Sequence, residues 1–251
     1  MGTDGVLLGA WTDFTGAQHI LDIGTGSGLI ALMAAQRAPR AKITGIDIDA
    51  SSVKQAQENA AASPFADRVH IMQADVRKFK TMCDDSEKHG NLKTSNDSGA
   101  RDIVEVKNVS KTDDCSKKRL FTHILSNPPY HTETLLPPDA RRAAARHTAD
   151  LTLSELVYQA NRLLAEGGTF SLIVPTGAQS EISGVATTLG LHLTRLTLVR
   201  TTATKPPRRV LMTWQRCSTP LPLCRSELVL TQSDGRRTPE HEMLTKDFYL
   251  W

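Results

Sequence analysis

Ser126-Asn127-Pro128-Pro129-Tyr130 places an amide, two ring-locked residues and an aromatic face within five consecutive positions. The prolines fix φ and remove two N–H donors, so this corner is stiff and presents carbonyl oxygens. If the Asn127 side-chain oxygen and the Pro128 carbonyl each accept one N–H, a flat exocyclic amine is held with its lone pair turned towards an electrophile. Such an amine is a poor nucleophile, because its lone pair is delocalised into the ring. Positioning and electrostatics would then do most of the catalysis, with no strong base. Pro129 completes the stiff corner, and Tyr130 can stack a ring that has left its neighbours. The motif does not choose among an adenine amine, a guanine amine and a glutamine side-chain amide. Its plain alternative is an ordinary proline-stiffened strand exit with a tyrosine at the core edge.

A second segment suggests the electrophile. Leu21-Asp22-Ile23-Gly24-Thr25-Gly26-Ser27-Gly28 lies where a first strand should turn into a first helix. Glycines let such a turn tighten and let backbone N–H groups approach a ligand. A dinucleotide loop usually runs GxGxxG, with a pyrophosphate at the helix N-terminus. Here Gly24, Thr25, Gly26 and Gly28 form a GxGxG loop, and Asp22 precedes it. A carboxylate at that place suits a cationic amino-acid end better than a phosphate, which points to S-adenosylmethionine. Asp47, with Ile48 beside it, ends a second strand, where an acid can accept hydrogen bonds from ribose hydroxyls. Asp75 ends a third strand and could hold the adenine amino group, with Val76 flanking the ring. Either acid alone reads as a helix or turn cap. Their order after the glycine loop is what makes them one cofactor site.

These segments need a scaffold, and the apolar pattern supplies it. Strands are expected at His19–Ile23, Lys42–Ile48, Arg68–Gln73, Phe121–Leu125 and Gly168–Val174. Helices are expected at about Leu29–Gln36, Ala50–Ala62 and Leu153–Ala165. Leu193–Val199 and Arg209–Gln215 alternate apolar and polar residues across a loop with Pro206-Pro207, as an antiparallel pair does. The sum is an α/β fold with a doubly wound, mostly parallel sheet, whose ligands belong outside the carboxyl ends of the strands at the switch point.

Composition narrows the class. A hydrophobic share of 39% with 23% charged residues and a net charge of +3 excludes wholesale disorder in 251 residues. One domain, 1–251, is expected, with residues 80–118 as a flexible polar surface insertion lacking any sustained apolar pattern. No apolar run approaches the roughly 20 residues of a membrane span, and Met1 leads into Gly2, Thr3 and Asp4 rather than a basic-then-apolar signal, so a chain that is neither membrane-spanning nor secreted is expected. Cys83, Cys115, Cys217 and Cys224 make no CxxC pair, so a reducing, cytoplasmic setting is expected. No Cys/His cluster or HExxH supports a metal. From Ile182 to Ser226 there are seven basic residues and no acid: Arg195, Arg200, Lys205, Arg208, Arg209, Arg216 and Arg225. Together they could form one positive surface for a polyanion, with Lys205, Arg208 and Arg209 as its substrate-binding members. Scattered solvated charges are the alternative. Arg141, Arg142, Arg146 and His147 follow the Asn-Pro-Pro-Tyr corner and could hold the phosphates of an RNA loop.

Four segments carry a family resemblance: Gly2-Thr3-Asp4-Gly5-Val6-Leu7-Leu8-Gly9-Ala10-Trp11, the glycine loop running on through Leu29 to Arg37, the Ser126 to Tyr130 corner with Arg146-His147, and Leu244-Thr245-Lys246-Asp247-Phe248-Tyr249-Leu250. On these the chain resembles the bacterial tRNA (adenine-N6) methyltransferases that modify the adenine next to the anticodon of valine tRNA. The resemblance implies a seven-stranded Rossmann-like methyltransferase sheet with an antiparallel last strand, S-adenosylmethionine as cofactor and tRNA as partner. It also implies that Thr3 and Asp4 lie close to the cofactor, whereas the residues alone read as the N-cap of an apolar helix. Relatives carry a further segment ahead of the Gly-Thr-Asp motif that can help cover the site. His131 stands where they usually have phenylalanine. Competing readings are a glutamine N5-methyltransferase of a translation release factor, a non-catalytic RNA-binding module on the same fold and, more distantly, a dehydrogenase.

Overall fold

β1 (His19–Ile23) pairs in parallel with β2 (Lys42–Asp47) on one side and β4 (Phe121–Ser126) on the other. β3 (Val69–Gln73) extends the sheet beyond β2, and β5 (Leu164–Pro175) lies parallel to β4. β7 (Arg209–Arg216) runs antiparallel between β5 and β6 (Leu191–Arg200). The full order is β3-β2-β1-β4-β5-β7-β6-β8. Strand order therefore reverses between β1 and β4, the switch point where ligands of doubly wound sheets bind. The computed structural model describes residues 2–80, 121–129 and 151–249. All of these except Lys80 belong to one compact unit, Met1–Phe79 with Phe121–Trp251. The expected insertion, Lys80 aside, lies outside the described residues.

Alternating side chains build a core on each face. Ile20, Ile43, Leu125, Ile173 and Leu211 face α1 (Thr3–Trp11), α2 (Leu29–Arg37) and α3 (Ala50–Ala61). Leu21, Ile46, Ile124, Leu172 and Met212 face α4 (Leu153–Leu163) and α5 (Gln179–Thr188). Burial on both sides explains the nearly continuous apolar strands. Each fully buried Leu or Ile contributes roughly 1.5–3 kcal/mol. α1 is buried throughout Gly5–Trp11, between the sheet, α2 and the C-terminal residues Leu244, Phe248 and Tyr249. That is why it shows no polar stripe.

Three features differ from expectation. An eighth strand, β8 (Cys224–Val229), lies parallel to β6 at the sheet edge, with only Leu228 fully buried. Its weak alternation follows from that exposure. β5 starts at Leu164 rather than Gly168, because Leu164 already pairs with Phe121 before the register breaks near Gly167. Gly2, not Thr3 or Asp4, is the N-cap of α1, and no side chain caps that helix. The chain closes on a short helix, α6 (Pro239–Thr245), capped by Thr238.

Candidate active site

Ile23 and Ser126 stand in register across β1 and β4, and the Ser126 hydroxyl donates to the Ile23 carbonyl at 2.8 Å. Gly24 and Asn127, the next residues of their strands, therefore leave the sheet side by side. A cleft of about 370 Å³ opens there. Gly24, Asp47 and Ile48 line it from the β1–β2 side, Asp75, Val76 and Arg77 from beyond β3, and Asn127, Pro128 and Pro129 from β4. The stiff corner and the glycine loop thus share one cavity. Tyr130, His131, Arg141, Arg142, Arg146 and His147 lie outside the described residues.

The loop is folded by its own backbone. Gly24, Gly26 and Gly28 have φ of 72°, 54° and 82°, the left-handed region that favours glycine. Gly24 and Thr25 N–H both donate to the Ile46 carbonyl, Gly26 N–H to Asp47 Oδ2 and Gly28 N–H to the Thr25 carbonyl. A Cβ on Gly28 would stand 3.2 Å from the Ala56 Cβ, so α3 can approach α2 only because that position is bare. The N–H groups of Gly24, Thr25, Gly26 and Gly28 are therefore used within the fold, which removes them from a pyrophosphate cradle.

Asp22 is fully buried beneath the head of α2. Its Oδ2 accepts the Thr25 hydroxyl at 2.7 Å, while Oδ1 has no hydrogen-bond partner of good geometry among the described residues. Burial pushes the carboxyl up to about 6, against the lowering pull of the Thr25 hydroxyl and the Ala31 amide dipole. An anion at this helix head would meet a second acid, whereas an ammonium group would relieve the unpartnered oxygen. Asp22 does not itself line the cleft, so its reach to a ligand runs through the loop it holds or through a bridging water.

Asp47 accepts Gly26 N–H on Oδ2 and Asp49 N–H on Oδ1, at 2.9 and 3.0 Å. Each oxygen has a second lone pair for a ribose hydroxyl. Ile48 is 54% exposed, an apolar surface open to the cleft. Val76 is buried. Asp75 is gripped by Arg77, whose Nε lies 2.9 and 3.0 Å from its two oxygens and whose Nη2 lies 2.8 Å from Oδ2. These bonds hold the carboxyl below its ordinary range. Asn127 is half-buried, and its Nδ2 lies 3.8 Å from where a Gly5 Cβ would stand, so the first turn of α1 flanks the corner. Pro128 is buried and Pro129 exposed.

The single seven-member positive surface does not form. Arg195 stacks 4.1 Å over Trp11 and donates to its carbonyl; Arg200 pairs with Glu227; Arg209 Nε donates to Asp4 Oδ2; Arg216 donates to the Asn161 and Leu164 carbonyls. Their partners come from other elements, which no reading of residues 182–226 alone could reveal. Arg225 stands apart on β8. Lys205 and Arg208 remain exposed in the β6–β7 loop. Because Arg209 pairs with Pro175 and Val199, that loop sits at the same carboxyl end of the sheet as the cleft. Thr3 is exposed at the start of α1; neither it nor Asp4 lines the cleft. Arg77 and Leu151 line it without having been singled out in the sequence. The signal for Arg77 was its position two residues after Asp75, where an Asx turn brings it back onto the carboxylate.

A doubly wound sheet with this loop order defines a methyltransferase domain, and residues 15–176 match the family described as Methyltransferase domain. The chain is 37% identical to the tRNA1(Val) (adenine(37)-N6)-methyltransferase of Phocaeicola vulgatus over 250 residues, covering 100% of this chain and 90% of that protein. It is 37% identical to the protein of the same name from Porphyromonas gingivalis, covering 99% and 88%. The chain belongs to this tRNA1(Val) (adenine(37)-N6)-methyltransferase family. A predicted O-methyltransferase of Agrobacterium tumefaciens superposes with a TM-score of 0.67 at 17% identity, over 99% of this chain and 98% of that one, and shares the fold.

Proposed function

We propose that this protein transfers a methyl group from S-adenosylmethionine to the exocyclic N6 amine of an adenine in tRNA, at the place named for its relatives, position 37 of the valine tRNA. The observation that carries the reading is the register of Ile23 with Ser126, which opens the glycine loop and the Asn127 corner into one cleft. The cofactor fits the residues present: an unpartnered buried Asp22 oxygen for the influence of an ammonium, Asp47 for the ribose, and Ile48, Val76 and Asp75 for the adenine. When bound, it supplies an electrophilic methyl group. Thr3 and Asp4 act from outside the cleft, by placing the first turn of α1 beside Asn127.

Asn127 Oδ1 and the Pro128 carbonyl accept the two N–H groups of the target amine and orient its lone pair. Pro129 keeps the corner stiff, and Tyr130 stacks the everted base. The proton leaves only after the methyl has moved, so water suffices to take it. Lys205 and Arg208, with Arg141, Arg142, Arg146 and His147 following the corner, contact phosphates of the anticodon arm. A cytoplasmic setting follows from that substrate. Residues 80–118 are an insertion in one catalytic domain.

The test is nucleoside mass spectrometry of bulk tRNA incubated with protein and S-adenosylmethionine, beside purified release factor. N6-methyladenosine in tRNA is expected; methyl label confined to the release factor would overturn the assignment.

A further inference from the structure

Asp75, Val76 and Arg77 form the cleft wall beyond β3, and β4 begins only at Phe121, so the far end of that wall is not anchored by an adjoining strand. Its own turn is short: Lys78 N–H donates to the Asp75 carbonyl and Phe79 N–H to the Val76 carbonyl, at 2.9 and 3.3 Å. The outer anchor comes from α4. Arg162 Nη2, which carries two N–H groups, donates to the Val76 carbonyl at 3.2 Å and to the Phe79 carbonyl at 2.7 Å. Its Nε donates to Gln159 Oε1 at 2.8 Å, one turn back on the same helix, which sets the plane of the guanidinium. The helix is held against the sheet by buried Leu156, Val157, Ala160 and Leu163. The Phe79 ring also meets Phe121, the first residue of β4, with centroids 6.3 Å apart. A basic residue in the last turn of a helix ordinarily complements the helix dipole. Arg162 occupies that turn, yet its side chain reaches back 86 positions to the cleft wall.

We propose that Arg162 is a positioning residue for the cofactor base: from outside the cleft it grips the Val76 and Phe79 carbonyls and holds Val76 where its side chain packs on the adenine ring. This rests on the reading of Val76 as the flank of that ring. Hydrogen bonds from a guanidinium to carbonyl oxygens are charge-assisted and stronger than neutral ones. What they protect is a contact of short range. A gap of about 0.5–1 Å forfeits a quarter to a half of a dispersion contact, so a wall free to shift by that much loses the base while the fold stays intact. Asp22 and Asp47, read as serving the amino-acid end and the ribose, stand on β1 and β2, outside the segment that Arg162 grips. Loss of the arginine should therefore weaken the hold on the base and leave the rest of the cofactor site as it was.

The experiment is competition calorimetry of the full chain with S-adenosylhomocysteine and with S-ribosylhomocysteine, which keeps the ribose and the amino-acid end but has no base. The ratio of the two affinities isolates the contribution of the base. Wild type, Arg162→Met, Arg162→Lys and Arg216→Met are compared, with thermal melting to confirm folding. Arg216 is the control, since it donates to the Asn161 and Leu164 carbonyls at the same end of α4 without touching the wall. Arg162→Met should lower the ratio about tenfold, the scale of one hydrogen bond to a charged group, through weaker binding of S-adenosylhomocysteine alone. Arg162→Lys keeps the charge without the fork and should give an intermediate ratio. Arg216→Met should melt earlier and keep the wild-type ratio. If folded Arg162→Met and Arg162→Lys both keep the wild-type ratio, the arginine serves stability alone and its positioning role is overturned. If wild type itself binds the two compounds equally, the base does not lie on this wall, and the reading of Val76 fails together with the role of Arg162.

Discussion

Arg209 Nε donates to Asp4 Oδ2 at 2.8 Å, joining the start of β7 to the first turn of α1 across 205 positions of sequence. Both side chains are partly exposed, at 34% and 25%. Exposed ion pairs contribute about 0–1 kcal/mol. Arg209→Ala and Asp4→Ala should each lower stability by up to about 1 kcal/mol, and the exchange Asp4→Arg with Arg209→Asp should recover part of it. Thermal melts in low and high salt check this, since the loss should shrink as salt screens the pair. If Arg209 served only to hold RNA, its removal would leave the melting temperature unchanged.

Asp22 gives the apoprotein a pH signature. Its carboxyl stands at about 6 in the fold against an ordinary 3.8, so between these values the folded chain keeps a proton that the unfolded chain has lost. Its contribution to stability is therefore full below about pH 4 and lost as pH rises through about 6. Relative to wild type, Asp22→Asn should gain on the order of 3 kcal/mol across that window and no more above it. Urea unfolding of both proteins from about pH 4 to 8 measures the difference. A difference that is flat across the range would show that the acid is ionised throughout.

Asn127→Ala should lower kcat on the order of 10²- to 10³-fold, the loss seen when one group that positions the reacting atoms is removed. Binding of S-adenosylhomocysteine should stay near wild type, because the proposed cofactor contacts lie on the other wall of the cleft. Single-turnover rates and calorimetry together test the split. Equal losses in both would assign Asn127 to cofactor binding instead.

Lys205 and Arg208 are exposed at the cleft end of the sheet, and neither has a side-chain partner among the described residues. Removing either should raise KM for tRNA and reduce the salt slope of tRNA binding by about 1, with cofactor affinity unchanged. Filter binding across a salt series reads this. Arg225→Ala, on β8, is the control expected to leave the slope alone.

The order of elements was legible in the chain because it rests on local signals. Strands buried on both faces read as apolar runs such as Ile20-Leu21, and glycines with positive φ punctuate the turn before α2. The edge strand β8 was not legible, because one buried leucine in six residues leaves no alternation to see.

By itself the sequence determined the doubly wound order and the two loops that must meet at its switch point, because turn chemistry and apolar period act over a few residues. Tertiary structure alone decided what each charge is for. Four of the seven C-terminal arginines and lysines are taken by Asp4, Glu227, the Trp11 ring and carbonyl, and helix-end carbonyls, and Asp22 lies under α2 rather than in the cleft. A charge finds its partner through space, and the spacing of residues along the chain carries no record of which distant group folding will bring within 3 Å.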